Sequence, residues 1–173
     1  MDSPYILMMG SVPLGLTMLG LVLFRLLWGL FGGSTARFAG FVRGPRSAIA
    51  YLRGRAAPAI GHNPLGGWSV IAMLGALAAQ VSLGLFASDE DGLHAGPFAH
   101  LVNWETGEEI ADLHEDMFDV LLVLIGLHLA AILFYAAVKR RDLVTPMITG
   151  RGEAPDGAAP MRPAPAWRFL LAA

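Results

Sequence analysis

No cysteine occurs anywhere in the 173 residues, so the chain can build neither a disulfide nor a thiolate metal site. Charge is also scarce: Asp, Glu, Lys and Arg make up 15% of the sequence, apolar residues 55%, and mean hydropathy is +0.56. The scarcity is concentrated. Residues 3–24, 56–88 and 120–138 hold no Asp, Glu, Lys or Arg at all. A helix needs roughly 20 mostly apolar residues to cross the hydrocarbon core, so each stretch has room for one span. That pattern excludes an ordinary soluble domain of this length. The N-terminus lacks a basic segment before its apolar run and shows no small-x-small cleavage site, so the first span is expected to be retained. No internal repeat and no nucleotide-binding motif is present.

The charges that do occur are segregated by sign. Residues 89–119 carry ten carboxylates and no Lys or Arg, whereas residues 33–66 carry five arginines (Arg37, Arg43, Arg46, Arg53, Arg55) and no acid. Cytoplasmic loops are enriched in Lys and Arg, which places 33–66 inside. Lys139, Arg140 and Arg141 place the C-terminus on the same side. Three spans satisfy both assignments, with the N-terminus and the 88–117 loop periplasmic and the chain in the bacterial inner membrane. Beside two spans, arginines of this kind read as contacts to lipid headgroups, and nucleic acid is not expected as a partner.

The spans are expected at about 5–29, 67–87 and 118–138, in an all-α membrane protein. The last span continues a helix that the spacing of Thr106, Glu108 and Glu109 starts near Thr106. Arg25 lies at the cytoplasmic end of the first span, where its guanidinium can reach headgroups. Ser11 and Gly15 form a small-xxx-small pair that admits a close helix neighbour. Between the first two spans, Pro45 to Arg55 reads as a short amphipathic helix with Ile49 and Leu52 facing the interface. Gly61-His62-Asn63-Pro64 is a turn signal ahead of the second span. Gln80 lies inside that span and calls for an interhelical hydrogen bond. Residues 1–150 thus form a transmembrane domain. Residues 151–173 form an Ala/Pro-rich cytoplasmic tail without fixed structure of its own, ending in an apolar, aromatic cluster.

Of the five histidines, His114 and His128 share the third helix. Fourteen residues at about 100° each bring them to within about 40° of one face and about 21 Å apart. His114 falls near the outer surface and His128 about halfway through the bilayer, where an ionisable side chain is a functional candidate. Imidazoles so placed can be axial ligands of two haems stacked across a membrane. They can equally be hydrogen-bonded packing residues. His62, His94 and His100 fall in loops and are expected not to ligate.

Several segments, in order, resemble the prokaryotic cytochrome b561 family, which includes the b-type cytochrome subunits of nickel-iron hydrogenases. They are Leu23-Phe24-Arg25-Leu26-Leu27-Trp28-Gly29, Phe41-Val42-Arg43-Gly44-Pro45-Arg46, Tyr51-Leu52-Arg53-Gly54 and Gly61-His62-Asn63-Pro64-Leu65-Gly66-Gly67-Trp68. Leu113-His114-Glu115, His128 and Pro146-Met147-Ile148-Thr149-Gly150 follow, so that residues 14–150 are covered. The resemblance implies a truncated four-helix cytochrome b bundle. It implies haem b on His114 and His128, and electron transfer with quinone or with other membrane subunits. It also implies departures: the family's first helix has no counterpart, and Ser11 stands where its second helix carries a histidine. Fewer than two haems per chain are therefore expected, with Met8 or Met9 a candidate replacement ligand. The expected function is a cytochrome b561-like subunit of a membrane electron-transfer assembly. The alternative is a haem-free structural or assembly subunit descended from such a cytochrome.

Overall fold

The computed structural model describes residues 3–55, 63–89, 95–150 and 162–172. Three long helices dominate: α1 (Ser3–Phe31), α4 (Pro64–Phe86) and α5 (Trp104–Ala137). Between α1 and α4 lie the short helices α2 (Phe38–Phe41) and α3 (Pro45–Leu52); α6 (Val144–Thr149) and α7 (Ala166–Ala172) follow α5. No strand occurs among the described residues, where the one extended pairing is an isolated bridge between Ser88 and Ala95. The three long helices are apolar and long enough to cross a membrane, with mean hydropathies of 1.9, 1.9 and 2.5 over their candidate spans. The protein is an all-α membrane protein.

The helix starts differ from the sequence expectation for a common reason. Helix α4 begins at Pro64 because the Asn63 side chain accepts the Gly66 N–H (2.7 Å) and the proline ring fits the first helical turn. Helix α5 begins at Trp104 rather than near Thr106, because Asn103 accepts the Thr106 N–H (2.8 Å). In both places an asparagine satisfies one of the N–H groups that a helix leaves unpaired at its start. Helix α3 follows the expected amphipathic segment, with Ile49 and Leu52 exposed.

The chain divides into two compact units. The first comprises residues 1–24 and 73–122. Its buried apolar side chains include Val22, Leu74, Val81 and Leu121. Its loop closes back on the end of α4: Gly96 N–H donates to the Ala87 carbonyl (2.8 Å) and Phe98 N–H to the Leu85 carbonyl (2.8 Å). These bonds satisfy carbonyls that a helix C-terminus otherwise leaves bare. A Cβ on residue 96 would lie 2.2 Å from the Gly84 carbonyl oxygen, which is why glycine stands there.

The second unit comprises residues 25–72 and 123–173. Here the guanidinium of Arg25 meets an aromatic ring. It lies over the Phe38 ring, 5.1 Å from the centroid, with a 3.4 Å contact to the Ala36 carbonyl. The Phe38 ring rests where a side chain on residue 29 would stand. Trp68 Nε1 donates to the Arg43 carbonyl (2.9 Å), fastening the start of α4 to the segment before α3. Residues 162–172 also belong to this unit. Ser34 and Arg162 exchange two hydrogen bonds, of 3.0 and 2.9 Å, and Phe169 of α7 packs edge-on against Trp28 at 5.8 Å.

Candidate functional site

Helix α5 carries both histidines singled out by spacing, and each meets a polar residue of α4 within its own unit. In the first unit, His114 is held by Gln80 twice. Its Nδ1 lies 2.9 Å from the Gln80 backbone oxygen and its Nε2 lies 3.1 Å from the Gln80 side-chain nitrogen. A carbonyl can only accept, so Nδ1 carries the proton and Nε2 accepts from the amide N–H. This arrangement defines the tautomer. The Gln80 side-chain oxygen is left buried without a hydrogen-bond partner among the described residues. One helical turn on, Gly84 lets the ring lie flush on the α4 backbone: a Cβ there would be 2.9 Å from His114 Cε1.

In the second unit, His128 Nδ1 lies 3.4 Å from Ser69 Oγ, a long and therefore weak contact. Its Nε2 has no hydrogen-bond partner among the described residues. His128 is half-buried, as is His114.

A haem iron takes the lone pair of an imidazole nitrogen, and its porphyrin needs a slot beside that nitrogen. As arranged, the surroundings of His114 do not fit. The Nε2 lone pair is committed to the Gln80 amide, and no slot separates the ring from α4. To take iron, His114 would have to release Gln80. His128 fits one requirement, an accessible nitrogen, but no second histidine joins it among the described residues of its unit. No cluster of three or more His, Cys, Asp or Glu suited to a bare metal ion occurs among the described residues either. His100 lies in an exposed 3₁₀ turn (Ala99–Leu101); His62 and His94 lie outside the described residues, as does the side chain of Ser11.

A third polar cluster had no clear signal in the sequence. The hydroxyls of Tyr51 (α3) and Tyr135 (α5) are hydrogen-bonded, and Asn63 Nδ2 donates to the Tyr135 hydroxyl at 3.3 Å. Burial, and next the Tyr135 hydroxyl, push the Tyr51 phenol up to about 12. Only the position of Tyr135, one turn before the basic run 139–141, hinted at an interfacial role. The cluster ties α3, the start of α4 and the end of α5 together.

Two contacts join segments that carry the family resemblance: Trp68 on the Arg43 carbonyl, and Gly67 beneath the Phe41 carbonyl. The sequence model of the prokaryotic cytochrome b561 family matches residues 11–150. No curated protein and no solved structure shows a significant match to the chain. A match that runs from within α1 to the end of α6, over three helices able to span a membrane, covers most of the chain. The protein therefore belongs to the prokaryotic cytochrome b561 family, the membrane b-type cytochromes of bacterial electron transfer.

Proposed function

We propose that the chain is a cytochrome b561-like subunit of a membrane electron-transfer assembly, working beside other membrane subunits and exchanging electrons with quinone or with a redox partner. The observation that carries this reading is the family match over residues 11–150 with His114 and His128 both on α5. Of the two, His128 is the better candidate for haem b, because its Nε2 is uncommitted, and fewer than two haems per chain are expected. When bound, haem b would supply a one-electron carrier. The protein's own contribution is to hold α4 and α5 in register and to keep water from the half-buried imidazole. The charge pattern supports an orientation in the inner membrane with the 88–117 loop periplasmic and the C-terminus cytoplasmic.

A second reading, a haem-free structural or assembly subunit, is favoured by one observation. Gln80 and Gly84 engage His114 as a packing residue, not as a free ligand. One preparation separates the two. The assembly is purified from native membranes, and its haem is quantified by a pyridine haemochrome assay beside a reduced-minus-oxidised spectrum. The first reading expects a b-type band at less than two haems per chain in a complex larger than the chain. A complex without haem assigned to this chain selects the second reading. A solitary chain carrying two haems overturns both.

A further inference from the structure

Helix α3 and the turn that ends it gather three arginines around one cleft, and this feature plays no part in the electron-transfer reading. Arg46 and Arg53 are seven residues apart, about 20° short of two full turns, so they project from one face. The chain would then lead Arg55 away, but Gly54 takes a left-handed conformation (φ 71°) that closes the helix. Gly54 N–H donates to the Tyr51 carbonyl (3.0 Å) and Arg55 N–H to the Ala50 carbonyl (2.8 Å). Paired bonds of this kind after a left-handed glycine fold the chain back over the last turn. Arg55 thereby returns to the side of Arg46 and Arg53. The three side chains, with Ile49 and Ala50, line a cleft of about 250 Å³.

Residues 33–66 contain no acid, and none of the three guanidinium groups forms an ion pair among the described residues. All three arginines are exposed. A guanidinium is a planar fork suited to two parallel hydrogen bonds with a phosphate or carboxylate, so three around one cleft form an anion receptor. Two features favour a lipid as the source of the anion. Ile49 supplies an apolar wall to the cleft and is 48% exposed, and Leu52 beside it is 69% exposed, so apolar and cationic groups are presented together. The helix also lies in the segment joining two membrane-spanning helices, which keeps it near the headgroup layer.

We propose that Arg46, Arg53 and Arg55 form a binding site for the phosphate of an anionic glycerophospholipid, with Ile49 and Leu52 against its glycerol and upper acyl carbons. The site is independent of haem and of any partner subunit. Free inorganic phosphate shares the headgroup chemistry but not the apolar contact.

The test is native mass spectrometry of the purified full-length protein in detergent, with phosphatidylglycerol or phosphatidylcholine of identical acyl chains added in turn. The native chain is expected to retain phosphatidylglycerol at least about tenfold better than phosphatidylcholine. R46Q/R53Q is expected to lose that preference. R37Q/R43Q, which removes the same charge from the same loop, is expected to change it by less than about twofold. Millimolar inorganic phosphate should leave the lipid in place. Equal losses in the two double variants would reduce the effect to net charge, and displacement by inorganic phosphate would assign the cleft to a soluble anion; either overturns the proposal. If R46Q/R53Q fails to fold, the native chain decides, since a preference below about twofold is incompatible with the site.

Discussion

Gln80 gives both its backbone carbonyl and its side-chain amide to one imidazole, so removing its side chain affects His114 in a defined way. In Gln80→Ala the Nδ1–H bond to the backbone survives, and Nε2 loses its donor. Interhelical hydrogen bonds in membranes contribute about 0.6 kcal/mol on average, so a loss near that size is expected in a reversible unfolding assay. Gly84→Leu is expected to cost more, about 1–3 kcal/mol, because its Cβ would already crowd the ring before the rest of the side chain is placed. Spectra of the same variants address haem. His128→Ala should remove the b-type band, while Gly84→Leu should leave it, if haem rests on His128 alone. A band that survives His128→Ala and disappears with His114→Ala would reverse that assignment. The sequence revealed the two histidines, because their spacing on a helix is arithmetic. It did not reveal that Gln80 and Ser69 face them, since the register between two helices depends on how their side chains pack. Gln80 was legible as a polar residue in need of a partner, but the partner was not.

The long helices announce themselves through runs without charge, and their ends are set by single residues that such runs do not mark. Asn63 and Asn103 start α4 and α5 by capping; helix α6 starts on Asp142, which accepts the Val144 and Thr145 N–H groups at 2.9 and 3.0 Å. Helix α5 ends in a left-handed turn at Arg140 (φ 49°), with Arg141 N–H reaching the Tyr135 carbonyl at 3.0 Å. Nothing in an apolar pattern foretells that arginine takes a conformation usually given to glycine. The tie between α3 and α5 was equally hidden, because a tyrosine pair carries no periodicity. It nevertheless has a measurable consequence. Burial, and after it the Tyr135 hydroxyl, raise the Tyr51 phenol to about 12, so the neutral form is the one that the fold favours. The resulting stability is fully present below the ordinary tyrosine range, near pH 10, and is lost as pH rises through about 12. Tyr135→Phe removes the second of the two causes. Ultraviolet titration of the folded protein should then show Tyr51 ionising at a lower pH than in the native chain. An unchanged midpoint would leave burial as the whole cause.

At the scale of the whole molecule, charge and exposure make separate claims, one about orientation and one about association. The absence of cysteine makes any introduced cysteine a unique reporter of side. His100→Cys, in the loop between α4 and α5, is expected to react with an impermeant thiol reagent in intact cells, and Ser47→Cys in α3 is not; the opposite pattern would invert the proposed topology. Association rests on a different feature. Few residues of the candidate spans are fully buried within the chain, 11% in α1, 11% in α4 and 6% in α5, and α1 and α5 present many exposed apolar side chains to lipid or to another protein. Acyl chains cover apolar side chains as readily as a helix does, so exposure alone does not compel assembly. Close packing does discriminate, because lipid follows any surface while a neighbouring helix requires small residues at its crossing. Gly15 of α1 meets this condition: nothing lies within 4 Å of where its Cβ would stand, and Leu14 beside it is exposed. The Cβ of Gly15→Leu therefore meets no obstacle among the described residues, and the substitution should leave the stability of the isolated protein within about 0.5 kcal/mol of the original. A partner helix crossing at Gly15 would be pushed away by the added side chain. Native gels of gently solubilised membranes are then expected to show the original chain in a complex much larger than itself, and Gly15→Leu shifted toward the free chain. If the variant stays in the large complex, the crossing lies elsewhere; if the original chain runs alone with its full haem content, there is no assembly to join.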